Sequence, residues 1–378
     1  MVVWEIVRNF VPKMEILGHT STQLVLFLVL FGVTGVVPLI AALYLLLRRA
    51  NAIAPSVTSP VRLRRWTAAF FGVSTLAHAW WLLFYILSGG QNSLGDLALA
   101  MLDCVLLFTT FAGMLLSMLQ DRRRPVWPAV AAMIPFVLLM GAYMVFPSSQ
   151  LIMFVVAYLV LVCVAFTGYM VFAIRQYERW LNDNYADLEN KKVWLSQMLA
   201  LSCMLLFVLY LFATNIVTLW LVHVIELVLT VLLLWRAETL PTLELPVQPL
   251  AQQPKAAPVT IDINQIEQVL KENCVATQLY LQHDLTLSML AQALGTNRTY
   301  LSLYFSRQNT TYNAYINMLR IQHFERLYRE AVAAGRSFTA QQLAQESGYR
   351  SYSTFSVAFK QRMGQSAKDW MNAEGGLR

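Results

Sequence analysis

The sequence predicts an all-α chain in two parts: a polytopic seven-helix transmembrane bundle and a C-terminal all-α domain built from two helix-turn-helix units. Three observations carry this. Of 378 residues, 57% are hydrophobic and only 13% charged, about half the charge of an ordinary soluble domain. Seven apolar runs of about 20 residues or more fill the first two thirds of the chain. Beyond residue 262 the apolar period changes to the 3, 4 spacing of soluble amphipathic helices. A mean hydropathy of +0.52 leaves more apolar surface than one soluble core of this length can hide, which excludes a wholly water-soluble globule.

The runs lie near residues 24–47, 67–87, 96–119, 127–146, 151–174, 194–213 and 216–235, each long enough as a helix to cross about 30 Å of hydrocarbon. Arg48, Arg49, Arg62, Arg64 and Arg65 follow the first run, Arg122, Arg123 and Arg124 the third, and Arg175, Arg179, Lys191 and Lys192 the fifth. The other loops between runs carry no Lys or Arg. By the positive-inside rule the first, third and fifth loops are cytoplasmic, so the N-terminus is expected outside and everything after Arg236 inside. The closest boundary is the sixth turn, where only Thr214 and Asn215 separate two runs. Glu5, Arg8, Lys13 and Glu15 precede a first apolar run that lacks a small-residue cleavage site, so it reads as a retained span. Cys104, Cys163 and Cys203 lie inside apolar runs and Cys274 outside them, a scatter that reads as reduced cysteines.

From Glu238 to Thr260 the composition breaks into Pro241, Pro246, Pro249, Pro254 and Pro258 among Gln, Ala and Leu, which reads as a linker. The expected division is a membrane domain at 1–237, a Pro-rich linker at 238–261 and a helical domain at 262–378. In this last part Ile263, Ile266, Val269 and Leu270 mark one buried face. Thr286 is placed to cap a short helix with Leu290 and Leu294 inward, Gly295 to make a tight turn, and Asn297 to cap a second helix with Leu301 and Phe305 inward. The grammar repeats with Leu343 and Ala344, Gly348, Ser351, Phe355 and Phe359, giving units at about 286–308 and 339–363. Between them Tyr315, Leu319 and Phe324 mark a long connecting helix. Two recognition helices about 34 Å apart on one face would meet successive major grooves of double-stranded DNA.

Residues 263–373 resemble the DNA-binding domain of the AraC/XylS family of transcription regulators. The resemblance is carried by the spacing of Leu343, Ala344, Gly348, Tyr349, Ser353, Phe355, Phe359, Lys360, Gly364 and Trp370, and by LTLSMLAQALG, TYLSLYF and YINMLRI in the first copy. Asn309 stands near where the family has glycine, and Phe324 where a small residue is usual. The first two thirds look like the membrane-embedded variants of the family rather than its cupin arm. Matched position by position, the resemblance implies base-facing roles for Thr299, Ser302 and Leu303, and for Tyr352, Ser353, Ser356 and Val357. Arg298, Arg350 and Lys360 are placed for phosphates, with the helix-start amides behind the caps Asn297 and Ser351. None of the base-facing set is Arg, Asn or Gln, so shape and methyl contacts would share the readout. The plainer reading of Tyr352 and Val357 is local packing, and of Arg298 and Arg350 a solvated charge. Recruitment of RNA polymerase at promoters is a further implication of the resemblance, with activator as the reading taken and repression as the open alternative.

Within the runs, His78, Asp96, Asp103, His223 and Glu226 are ionisable groups that hydrocarbon penalises, so they are expected to face the bundle interior. Asp96 and Asp103 share a face, as do His223 and Glu226. They form a candidate sensor cluster for a polar small ligand or protons; inter-helix hydrogen bonding is the plainer reading. No tight His or Cys pair points to a metal, and neither a cofactor nor a catalytic residue is expected. The expected protein is a membrane-anchored one-component DNA-binding regulator of the bacterial inner membrane, embedded in lipid, with a homodimer joining two tethered domains. Its rivals are a receptor or transporter whose cytoplasmic domain binds protein, and an intramembrane enzyme. Coupling through the linker tether is expected, with the basic loop from Arg175 to Lys192 docking the tail as the competing route.

Overall fold

The computed structural model describes residues 21–88, 93–188, 191–210, 216–243 and 263–375. Among these there are fourteen α-helices and no β-strand. The chain divides into two units: residues 1–174 with 193–243, and residues 175–192 with 244–378.

The first unit holds α1 (Ser21–Leu47), α2 (Val61–Ser88), α3 (Ser93–Met118), α4 (Trp127–Val145), most of α5 (Ser149–Asn184), α6 (Trp194–Tyr210) and α7 (Ile216–Thr239). Among the described residues six of these are long and apolar enough to cross a membrane. The exception is α6, whose 17 residues rise only about 26 Å. The expected end of its run and the turn at Thr214 and Asn215 lie outside the described residues, as does the second loop at Gly90. Large apolar side chains such as Leu43, Ile134, Leu138 and Leu161 point outward, as a surface solvated by hydrocarbon requires.

Inside this unit α1 packs on α2 and α7, α2 also on α3 and α7, α3 on α4, and α6 on α7. Gly113 makes one of these approaches: a Cβ there would come within 2.3 Å of the Trp66 ring, so the missing side chain lets the indole lie directly on α3. Gln197 on α6 donates to the Leu115 carbonyl of α3 at 3.1 Å. At the end of α7 and just after it, residues 238–243, the start of the expected linker, are held rather than loose. Glu238 is fully buried against Arg48, Thr242 donates its amide to the Thr58 carbonyl, and Leu243 donates to Gln120 Oε1 at 2.9 Å. Residues 244–261, which complete the linker, lie outside the described residues.

The second unit contains the last residues of α5 and the loop after it, then α8 (Ile263–Leu270), a π turn and a 3-10 turn to Leu281, α9 (Leu287–Ala293), α10 (Arg298–Arg307), α11 (Tyr312–Ala333), α12 (Ala340–Glu346), α13 (Tyr352–Met363) and α14 (Ala367–Gly375). Six of these helices open with one device, a side-chain oxygen accepting the amide three residues on: Thr286 from Met289, Asn297 from Tyr300, Thr311 from Ala314, Thr339 from Gln342, Ser351 from Thr354 and Ser366 from Asp369.

Two apolar cores result, and α11 supplies both. Tyr312, Ile316 and Leu319 pack with Leu290, Leu301 and Phe305; Ile321, Phe324 and Tyr328 pack with Leu343, Phe355, Phe359 and Trp370. Phe324, where a smaller residue was the family expectation, is fully buried with its ring 4.5 Å from that of Phe355. Between the cores Arg320 donates to the Tyr280 and Gln282 carbonyls at 2.8 and 2.7 Å, and its guanidinium lies 5.5 Å from the Tyr349 ring centre. Burial pulls the pKa of this arginine down, and the surrounding tyrosine and aspartate groups oppose that. A buried cation satisfied by carbonyls is costly to remove, so it fixes the relation of one core to the other.

Candidate DNA-binding face and intramembrane polar cluster

Each helix-turn-helix unit is a short helix, a left-handed turn and a capped second helix. Gly295 (φ 65°) turns α9 into α10, and Gly348 (φ 88°) turns α12 into α13. At Gly348 a Cβ would meet the Leu281 backbone at 2.8 Å, so only glycine satisfies both the angle and the approach. Asn309 takes φ 51° after α10, the conformation for which the family uses glycine and which asparagine tolerates best among the remaining residues. The caps Asn297 and Ser351 accept the Tyr300 and Thr354 amides with their side-chain oxygens, at the starts of α10 and α13.

The candidate base-facing residues fall on the outer sides of these second helices. Thr299 and Ser353 are exposed, Leu303 is 43% and Val357 66% exposed, and Ser302, Tyr352 and Ser356 are half-buried. Tyr352 packs its ring 5.6 Å from that of Phe355, which matches the plainer packing role as well. Of the candidate phosphate contacts, Lys360 and Arg350 are exposed; Arg350 pairs with Asp284 at 3.5 Å, both two-thirds exposed. Arg298 is half-buried. Its burial lowers the guanidinium pKa, while Tyr185 and Asp183 act in the opposite sense. Those two residues lie outside every helix-turn-helix pattern, so spacing within the tail carries no sign of them.

In the first unit the structure brings together three of the five ionisable residues singled out above. His78 on α2 stands 3.8 Å from the Glu226 carboxylate of α7, and its ring centre is 6.0 Å from that of His223. Thr34 Oγ1 lies 2.9 Å from His78 Nε2, Ser74 donates to Glu226, and Phe31 packs 4.8 Å from the His78 ring. Because His78 Nδ1 faces the Ser74 carbonyl at 2.8 Å, that nitrogen carries a proton, leaving Nε2 to face Thr34 and Glu226. Asp103 instead accepts from the indole nitrogens of Trp80 and Trp81. Asp96 lies in the first turn of α3, about 10 Å along the helix from Asp103 and apart from the His78 group. Thr34, Ser74, Trp80 and Trp81 escape sequence reasoning because hydroxyls in apolar helices ordinarily bond to their own backbone, and indoles are ordinary packing groups.

Comparison with known proteins bears on the second unit. The model of the family described as Helix-turn-helix domain matches residues 290–373, 84 of the 378. This match is to an AraC-type helix-turn-helix domain, the DNA-binding part of transcription regulators. No curated protein and no solved structure matches the chain. Fold and match together define the class as a helical chain in which a segment similar to a helix-turn-helix domain of DNA-binding regulators follows apolar helices of membrane-spanning length.

Proposed function

We propose that the chain is a membrane-anchored, one-component, sequence-specific transcription regulator of the bacterial inner membrane. Seven spans, with the N-terminus outside, sense a stimulus, and the cytoplasmic double helix-turn-helix domain acts on duplex DNA. The observation that carries this reading is the pairing of two capped, glycine-turned units on one continuous helix, all but the first few residues of which lie within the matched stretch 290–373. With 22 residues, α11 is about 33 Å long, close to one turn of B-form DNA. Arg298, Arg350 and Lys360 take phosphates in this reading, and Thr299, Ser302, Leu303, Tyr352, Ser353, Ser356 and Val357 face the bases. Two copies joined through the spans would bind repeated half-sites, and RNA polymerase is the partner at promoters. The His78, His223 and Glu226 group is where a polar small ligand or a proton would be sensed, since its ionisable side chains meet between two packed helices, α2 and α7, with Thr34 of α1 against His78.

The test is binding of the full-length protein, held in lipid nanodiscs, to a pool of random duplexes followed by sequencing of the bound fraction. Enrichment of one sequence pattern, with affinity falling steeply as salt rises, is the expected result. Salt-insensitive or absent binding would transfer the tail to the protein-interaction class.

A further inference from the structure

The candidate DNA-binding unit has a companion from elsewhere in the chain. Residues 175–192 belong to the same compact unit as the tail, although the 51 residues 193–243 separate them from it in sequence. The contact is specific. Tyr185 forms an antiparallel backbone bridge with Thr286, the cap of α9. Asn313, on the first turn of α11, donates one amide to the carbonyls of Tyr185 and Ala186 at 3.0 and 2.7 Å. Ala186 is 1% exposed and is part of the first apolar core, beside residues such as Leu287 and Ile316. Asp183 lines an open groove of about 490 Å³ with Ser302 and Ser306. On α10 these serines lie four and eight residues after Arg298, on one stripe, and the Asp183 charge acts on Arg298.

That stripe is part of the face through which α10 would reach DNA. The Asp183 charge favours the Arg298 cation, as a phosphate would, and Asp183 shares the groove that Ser302 of the candidate base-facing set lines. α5 runs unbroken from Ser149 to Asn184, so the docked segment is the direct continuation of an apolar helix of spanning length.

We propose that residues 183–187, seated on the first helix-turn-helix unit, are an intramolecular competitor of DNA. Docked, they close α10 to a duplex; withdrawn, they free it, and movement of α5 is what withdraws them. This rests on the DNA-binding reading above and adds its regulation. It also replaces the linker tether as the principal coupling route, because the docked contact acts on the recognition helix itself.

A reversible lock tests it. Paired Cα atoms in an antiparallel bridge are about 4.5–5.5 Å apart, within the range a disulfide spans. Tyr185→Cys with Thr286→Cys in the full-length protein, in nanodiscs, should therefore cross-link on oxidation, as read by peptide mass spectrometry. The oxidised protein should lose binding to random duplexes about 40 base pairs long, which span several turns, and reductant should restore it, with each single variant as control. Asp183→Asn combined with Asn313→Ala should raise affinity about tenfold, by enlarging the competent fraction. A cross-linked protein that binds DNA as well as the reduced one would overturn the proposal, and so would failure of the pair to cross-link. If wild type, reduced lock and released variant all fail to bind DNA while the cross-link forms, the contact stands and the DNA-binding reading is what fails.

Discussion

Arg48 and Glu238 form an ion pair at 3.1 Å although they are 190 positions apart, joining the end of α1 to the end of α7. The glutamate is fully buried and the arginine 8% exposed, and the Tyr44 hydroxyl supplies Glu238 with a further hydrogen bond at 3.2 Å. Arg48→Ala leaves that carboxylate buried without its cation, so a loss of about 3 kcal/mol is expected. Thermal unfolding in detergent should show Arg48→Ala well below the double variant Arg48→Met with Glu238→Leu, which removes both charges together. Equal losses would mean that pairing is not what holds the two helix ends.

Gly348 and Gly295 occupy equivalent turns yet differ in surroundings. Gly348→Ala adds the left-handed penalty, about 1–2 kcal/mol, to a clash with the Leu281 backbone. Gly295→Ala incurs the angle alone, since nothing lies within 4 Å of a Cβ there. Hydrogen exchange should therefore show the second core loosened by Gly348→Ala much more than the first core is by Gly295→Ala.

His323 confers a pH dependence on the second unit. Its Nδ1 lies 2.9 Å from the Tyr280 hydroxyl and 3.1 Å from an Arg326 nitrogen that can only donate, so Nδ1 accepts and the ring is neutral. Burial, then the Arg326 charge, lowers its pKa below the ordinary 6.5, with Glu330 and Glu346 opposing. Below about pH 6.5 the unfolded chain takes up a proton that the folded one refuses, so stability is full above that pH and declines as pH falls toward the folded pKa. Protection of the α11 amides should drop between about pH 7.5 and 5.5 in wild type. In His323→Gln it should drop less.

Arg350 and Lys360 are assigned to phosphates, so removing either should weaken binding to every sequence alike. Each of Arg350→Ala and Lys360→Ala should reduce the slope of log affinity against log salt by about 0.9. Val357→Ala should leave the slope unchanged and alter which sequences are enriched.

The membrane topology rests on loop charge, and fusions read it directly. A reporter after Arg236 should behave as cytoplasmic and one at Gly90 as external. Cytoplasmic signal at Gly90 would overturn the arrangement in which the arginine-rich loops face inward.

Local grammar made much of this protein legible without coordinates. Apolar runs long enough to span a bilayer, the caps Thr286, Asn297 and Ser351, and the turns at Gly295 and Gly348 are all short-range features. The free energy of a cap or a left-handed turn is settled within a few residues, so each leaves its mark at fixed spacing. For the same reason the inward positions Leu290, Leu301, Leu343 and Phe355 could be named in advance, and they are buried.

What tertiary structure alone decided is which distant groups meet. His78 faces Glu226 while Asp103 turns to two tryptophans, a sorting that depends on helix rotation and packing, to which no spacing within a helix is sensitive. Glu238 reads as the start of a linker in sequence, yet the fold buries it against Arg48. Ala186 carries no motif, yet it is a core residue of the second unit, with the Tyr185 bridge to Thr286 and the Asn313 hydrogen bonds holding the backbone around it. Sequence by itself determined the helices and their punctuation, because those are local equilibria; the tertiary structure decided the polar partnerships and the docked segment, because these depend on packing between parts of the chain that sequence spacing does not relate.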